Sequence, residues 1–373
     1  MIQVALGHGR QFTVRPVSPE QSVPPPAPGS RGAPRSRLRG AITVGIGLVA
    51  VAATFLFVLP KIADYGEVWD AVKDLSGSQI GVLAGATLLN LVTFAPPWQA
   101  ALPGLGFARA FILTQMSTAS TYLAPGGAAV GIATSYAILR SWGFHGSRIA
   151  LAAAVVGVWN QFVLLTFPVV GLALLTLAHE RNPLLETVAV IGLAVVVVGV
   201  GAFAAGLWTS RLARWIGNLL ARLVNRGFQL LRRGPVRWSG DTAVSLRNEA
   251  LNLLRRRWHV LTLAVLAGQL TVFVLFLACL RTLGVSAGEV GAIEAFAAWS
   301  LVRVLGSLPI TPGGVGIVEI GLTGALVGFG GDNAEVVAAV LVYRFLTVIP
   351  TLLLGLAGLI ARRRFRAPVG PGQ

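Results

Sequence analysis

The sequence predicts an all-α integral membrane protein: about six transmembrane helices plus two opposed re-entrant Pro-Gly-Gly hairpins in an inverted repeat. Three observations carry this expectation. First, 55% of the residues are hydrophobic and 12% charged, with a mean hydropathy of +0.75, a balance that leaves too little polar surface for a water-soluble domain. Second, Leu123-Ala-Pro-Gly-Gly-Ala-Ala-Val-Gly131 and Ile310-Thr-Pro-Gly-Gly-Val-Gly-Ile-Val318 place the same break inside apolar helical sequence, one in each half. Matched interruptions of this kind point to a binding site near the bilayer midplane. Third, the basic residues gather between the apolar stretches and hardly within them.

The elements follow in order. Residues 1–40 are rich in Pro, Gly, Ser and Arg and have no apolar core, so a disordered basic cytoplasmic tail is expected there. A polytopic membrane domain over 41–361 comes next. Its first span, Ala41 to Leu59, has a basic flank and no small-residue cleavage site leading into a soluble domain, as in an uncleaved helix. Further spans are expected at Ile80 to Ala101, Ile149 to Ala178, Leu184 to Trp208, Val260 to Leu280 and Val336 to Ile360. Each crosses a hydrocarbon layer of about 30 Å at about 1.5 Å per residue. Two more apolar blocks, Ala108 to Leu139 and Gly291 to Val327, contain the breaks. Residues 209–258 are arginine-rich and carry Leu212, Trp215, Ile216, Leu219, Leu220 and Leu223 at helical spacing, the pattern of an amphipathic basic segment on the inner leaflet. Residues 362–373 form a short cytoplasmic tail.

Charge sets the expected topology. With 1–40, 102–111, 140–148, 209–259 and 361–373 inside, all of the 30 Lys and Arg are cytoplasmic except Lys61, Lys73, Arg181, Arg281, Arg303 and Arg344. The positive-inside rule favours this partition. It requires each broken block to leave on the side it entered, the first from the cytoplasm and the second from outside, with both termini inside a cell membrane. The net charge of +16 then suits anionic lipid, since no aromatic-interleaved basic face suggests nucleic acid. Cys279 lies in an apolar run, and His8, His145, His179 and His259 have no ligand spacing, so neither metal nor cofactor is expected. There is no Walker loop and no nucleophile with a nearby base, so no enzyme is expected.

A half-helix of ~13 residues rises ~20 Å, which brings each hairpin tip to mid-membrane. Proline ends one hydrogen-bonded ladder, and the helix that starts beyond it offers free N–H groups and the positive end of its dipole. Gly126 and Gly127 at one tip, and Gly313 and Gly314 at the other, are expected to converge on an anion. Three charges lie deep in apolar sequence: Arg303, Glu319 and Arg344. Arg303 precedes Pro312 by nine residues and Glu319 follows it by seven. The pair is open to two readings, a structural ion pair locking the hairpin or ligand contacts. Arg344 has no acidic residue within two turns on its own helix, so an unpaired cation serving as phosphate ligand is expected. Weaker polar candidates are Gln115, Ser117, Thr118, Ser120, Thr121, Tyr122, Ser307 and Thr311, hydroxyls mostly expected to bond their own backbone, and Asn160 with Gln161.

Leu308-Pro-Ile-Thr-Pro-Gly-Gly-Val-Gly-Ile-Val-Glu-Ile-Gly-Leu322, with Leu123 to Gly143 and Tyr343-Arg344, resembles the lysylphosphatidylglycerol synthase transmembrane family. Its flippase-like membrane region precedes a soluble aminoacyl transferase domain in some members. Many relatives carry Gly-Glu and a nearby Arg after the first break, where this chain has Gly131-Ile132-Ala133-Thr134. The resemblance implies a membrane protein linked to lipid translocation, without the transferase domain, acting on an anionic phospholipid or lipid-linked substrate. Two other functions fit the same residues: a secondary transporter of a small anionic solute, and a noncatalytic membrane partner of a lipid-modifying enzyme.

Overall fold

A chain that crosses lipid must satisfy its amides within its own helices, because the hydrocarbon offers no partner. The computed structural model describes residues 73–123, 127–178, 194, 197–199, 201, 240–308 and 311–361, all within the unit 42–373. Among them the regular elements are helical and there is no strand. In chain order they are α1 (Gly77–Thr93), α2 (Pro96–Ala101), α3 (Phe107–Leu123), α4 (Gly127–Ser141), α5 (Gly146–Ala178), α6 (Gly240–Thr282), α7 (Ala292–Gly306), a single 3-10 turn (Pro312–Gly314), α8 (Ile317–Gly328) and α9 (Asn333–Ala361).

Four stretches are long and apolar enough to cross a membrane: Gly77–Ala101, Gly146–Ala178, Arg247–Thr282 and Asn333–Leu359. The expected tail 1–40, the span Ala41 to Leu59, the stripe Leu212 to Leu223 and the tail 362–373 lie outside the described residues. Of the expected span 184–208, residues 194, 197–199 and 201 are described, and all are helical.

Local chemistry accounts for the boundaries. Ser76 and Gln79 form a reciprocal capping box at the start of α1, with Ser76 N donating to Gln79 Oε1 at 2.8 Å and Gln79 N to Ser76 Oγ at 3.3 Å. Such a box satisfies two N–H groups that the helix leaves open. Gln79 Nε2 also donates to Thr282 O at 3.0 Å, which ties the beginning of α1 to the end of α6. Pro96-Pro97 interrupts the ladder after Thr93, so the first described span is two helices joined at a bend. At the end of α6, Arg281 Nη1 donates to Val285 O and Nη2 to Val290 O, folding the connection to α7 around one guanidinium.

The structure departs from the hydropathy boundaries at α6. The helix runs unbroken for 43 residues, so 240–259 is continuous with the apolar run that follows it. Hydropathy marks where apolar residues begin; the polar residues before them still favour helix.

α9 is central. α3 packs on α4 and α9, α8 on α7 and α9, α7 on α5, and α6 on α1, α2, α5 and α9. Close approach of α9 to α3 uses two glycines: a side chain at Gly355 would meet Ala119 and Gln115, and one at Gly358 would meet Met116. Small residues bring membrane helices together in this way. On the other side Phe167, Phe273, Phe296 and Trp299 pack with centroids 5.0 to 5.9 Å apart, in the range of favourable aromatic pairs.

Candidate functional site

The second break is a 3-10 turn with positive backbone angles inside it at Gly313 (φ +62°) and Gly314 (φ +69°) and just beyond it at Gly316 (φ +84°). Residues with a Cβ avoid this region. Space excludes a Cβ as well: at Gly313 it would strike the Tyr122 ring, and at Gly314 it would lie 2.8 Å from the Gly306 carbonyl oxygen. Tyr122 belongs to the last turn of α3, directly before the first break. The end of α3 therefore meets the second break, with the Tyr122 ring seated on Gly313.

Charge holds the turn. Arg344 Nε donates to Glu319 Oε1 at 2.6 Å and Arg344 Nη2 to Gly313 O at 3.1 Å, while Gly316 N donates to Glu319 Oε2 at 2.7 Å. Both side chains are buried, Glu319 at 2% and Arg344 at 6% exposure. Each oxygen of the carboxylate has a donor, so the buried charge is compensated. Three of the five guanidinium N–H groups of Arg344 have no acceptor among the described residues.

These donors border a cavity of about 560 Å³ lined by Tyr122 and Ala128 from the first broken pair, Gly306, Ser307 and Gly313 from the second, and Tyr343, Arg344, Thr347 and Thr351 from α9. Arg303 lines it too. Its guanidinium lies 5.0 Å from the centre of the Trp299 ring, and its Nη2 donates to Gln269 Oε1 at 2.7 Å. Gln269 Nε2 donates in turn to Asn160 Oδ1 at 2.8 Å, and Asn160 Nδ2 to Val156 O at 2.8 Å. A chain of polar contacts across α7, α6 and α5 thus orients Arg303. No carboxylate is among the described residues lining the cavity.

Several expectations change. Glu319 pairs with Arg344 and not with Arg303, because the arms put Glu319 against α9 while Arg303 turns toward α6. Arg344 is consequently not an unpaired cation. Gly314 N donates to Thr311 O at 3.2 Å, since a 3-10 turn closes its own bonds, so that amide is not free for an anion. Gly127 and Gly314 do not line the cavity, whereas their neighbours Ala128 and Gly313 do; Gly126 lies outside the described residues. Ser117, Ser120, Thr121 and Ser307 bond backbone carbonyls three or four residues back, as expected of them. Thr311 Oγ1 is buried beside the break without a hydrogen-bond partner among the described residues. Gln269 was missed by sequence reasoning. The signal was available, as a lone amide in the apolar run Val260 to Leu280 that needed a partner at the depth of Asn160.

Fold and cavity together define a helical membrane protein with a largely apolar pocket, bordered by two arginines, between two interrupted helix pairs. The chain belongs to the family described as lysylphosphatidylglycerol synthase TM region, whose profile matches residues 42–355. No curated protein matches it.

Proposed function

We propose that this chain is a flippase- or scramblase-like protein of the cell membrane that binds the phosphate of an anionic phospholipid or lipid-linked substrate. The observation that carries this reading is the placement of Arg303 and Arg344 on one cavity that no described carboxylate lines. Guanidinium groups in a site of low dielectric favour phosphate oxygens strongly. Family membership supports a membrane role linked to lipid. The helix lengths support re-entrant hairpins: α3 has 17 residues, α4 15, α7 15 and α8 12, so the longest reaches about 26 Å and falls short of the hydrocarbon layer. In this reading the pairs enter from opposite faces, both termini are cytoplasmic, and the chain moves lipid without covalent chemistry of its own.

Reconstitution into liposomes with a fluorescent anionic lipid tests it. Arg303→Gln keeps a neutral polar side chain but removes the cation, so translocation should fall about tenfold or more with the protein still folded. Translocation at the wild-type rate by Arg303→Gln, or none by the wild type under any lipid composition, would overturn the reading.

A further inference from the structure

Resting on the anion-binding reading of the cavity, we infer that the Tyr343 hydroxyl is a further ligand contact: a neutral donor to an anionic oxygen, held near Arg303 by the buried Trp299 indole that positions both groups.

A phenol hydroxyl has one proton to give and lone pairs to accept with. Trp299 Nε1 donates to Tyr343 Oη at 3.3 Å, which occupies a lone pair and leaves the proton. No acceptor receives that proton among the described residues. Tyr343 is 4% exposed, yet it lines the cavity. A buried donor is rarely left without an acceptor, and the cavity is where one can arrive. An anionic oxygen takes such a proton more strongly than water does.

The other hydroxyls of the lining differ. Thr114, Thr121, Ser307, Thr347 and Thr351 give their protons to Phe111 O, Ser117 O, Val304 O, Tyr343 O and Thr347 O. Thr118 is exposed and Tyr122 half-buried, so neither is a sealed donor. The amides of Asn90 and Gln115 line the cavity from α1 and α3, where each spends an N–H, on Thr271 Oγ1 and Leu91 O. Arg344 gives its Nε to Glu319. Arg303 bonds only a neutral amide, so its charge is the one left for an anion.

Trp299 connects that charge to the hydroxyl. It is fully buried, with the Arg303 guanidinium 5.0 Å from its ring centre and its N–H on Tyr343. The indole packs on Phe167, Phe273 and Phe296, and the Tyr343 ring on Phe276 at 5.1 Å. One rigid side chain therefore sets a cation on α7 and a neutral donor on α9 relative to each other. A full charge together with a directed proton is the pairing that an oxyanion accepts best.

The test uses the purified full chain in neutral maltoside micelles, titrated with phosphatidylglycerol and with glycerol 3-phosphate at low and high salt. Affinity is read from the ligand-dependent rise in melting temperature, each variant against its own ligand-free value. Tyr343→Phe should weaken binding about tenfold and leave its salt dependence as in the wild type, whereas Arg303→Gln should weaken binding and flatten the salt dependence. Trp299→Phe keeps a ring face for Arg303 but loses the N–H. It should weaken binding in the wild-type background and by a smaller factor beside Tyr343→Phe. The same losses with glycerol 3-phosphate support the contact and assign it to the phosphate; losses with the lipid alone support it for a lipid-borne anion. If Tyr343→Phe binds as the wild type does while Arg303→Gln does not, the contact is overturned and the site stands. A flattened salt dependence in Tyr343→Phe also overturns it, because the phenol then acts by holding Arg303. Equal factors for Trp299→Phe in both backgrounds overturn the positioning role. Should Tyr343→Phe not fold, wild-type affinity in Trp299→Phe overturns the inference by itself. If neither Arg303→Gln nor Tyr343→Phe alters binding, the anion site itself is overturned.

Discussion

Where α3 meets α4, contact is made by small atoms. A side chain at Gly131 would collide with the Thr121 hydroxyl and approach the Ser117 carbonyl, and one at Gly127 would run into the Thr121 carbonyl. Neither helix contains a carboxylate. Where α7 meets α8, glycines again allow close approach, but the turn is also pinned to α9 by the buried Glu319–Arg344 pair and the bond from Arg344 to Gly313 O. The two pairs thus share one covalent device and are secured differently. The first is held by fit, which is short-ranged and degrades gradually when atoms are added or removed. The second is held by charge, which is intolerant because either partner left alone is a buried ion. Both cavity arginines lie with the second pair and α9, so the side of the cavity that carries the positive charge is the one secured by charge.

The largest break in this comparison comes from Arg344→Gln. Leaving Glu319 buried without its cation should cost about 3–5 kcal/mol, read as a large fall in melting temperature in detergent, and the double variant Glu319→Gln/Arg344→Gln should recover most of it. An Arg344→Gln protein as stable as the wild type would put the second pair on the same footing as the first. A smaller effect is expected at the glycines. Gly313→Ala faces both a positive φ and the Tyr122 ring and should lose about 1–3 kcal/mol. Gly131→Ala meets only a side-chain hydroxyl and a carbonyl, and it gains up to about 1 kcal/mol of helix propensity, so it should lose less; the reverse order would show that fit matters more in the first pair. The smallest effect should be Thr121→Val. Its hydroxyl bonds only Ser117 O of its own helix, so stability should stay within about 0.5 kcal/mol. A loss beyond that would reveal a contact holding the first break.

The two breaks were legible in the sequence because proline and glycine act locally: each restricts or frees its own backbone wherever the chain folds. That the hydroxyls of Ser117, Ser120 and Thr121 turn back on their helix was equally local. The partner of Glu319 was not. Its two candidate cations are at similar distance along the chain, 16 residues to Arg303 and 25 to Arg344, and depth alone did not separate them. What decides is which face of α8 packs on α9, a property of side-chain shape across three helices. The seating of Tyr122 on Gly313 is likewise a tertiary fact. The start of α6 escaped for a different reason: hydropathy reports solvent preference, and a helix continues beyond the lipid wherever its residues allow.

Because α6 is unbroken, it serves as a ruler. Arg257 and Arg281 are 24 residues apart on it, about 36 Å at helical rise, slightly more than the hydrocarbon layer is thick. Arg257 is exposed on it, whereas Arg281 is spent on Val285 O and Val290 O, so one end of the rod is open and the other is bound into the connection to α7. Gln269 stands midway, 12 residues from each, hung about 18 Å from either mark. Through its bond to Arg303, the position of the cavity's cation is set against the middle of this one continuous helix.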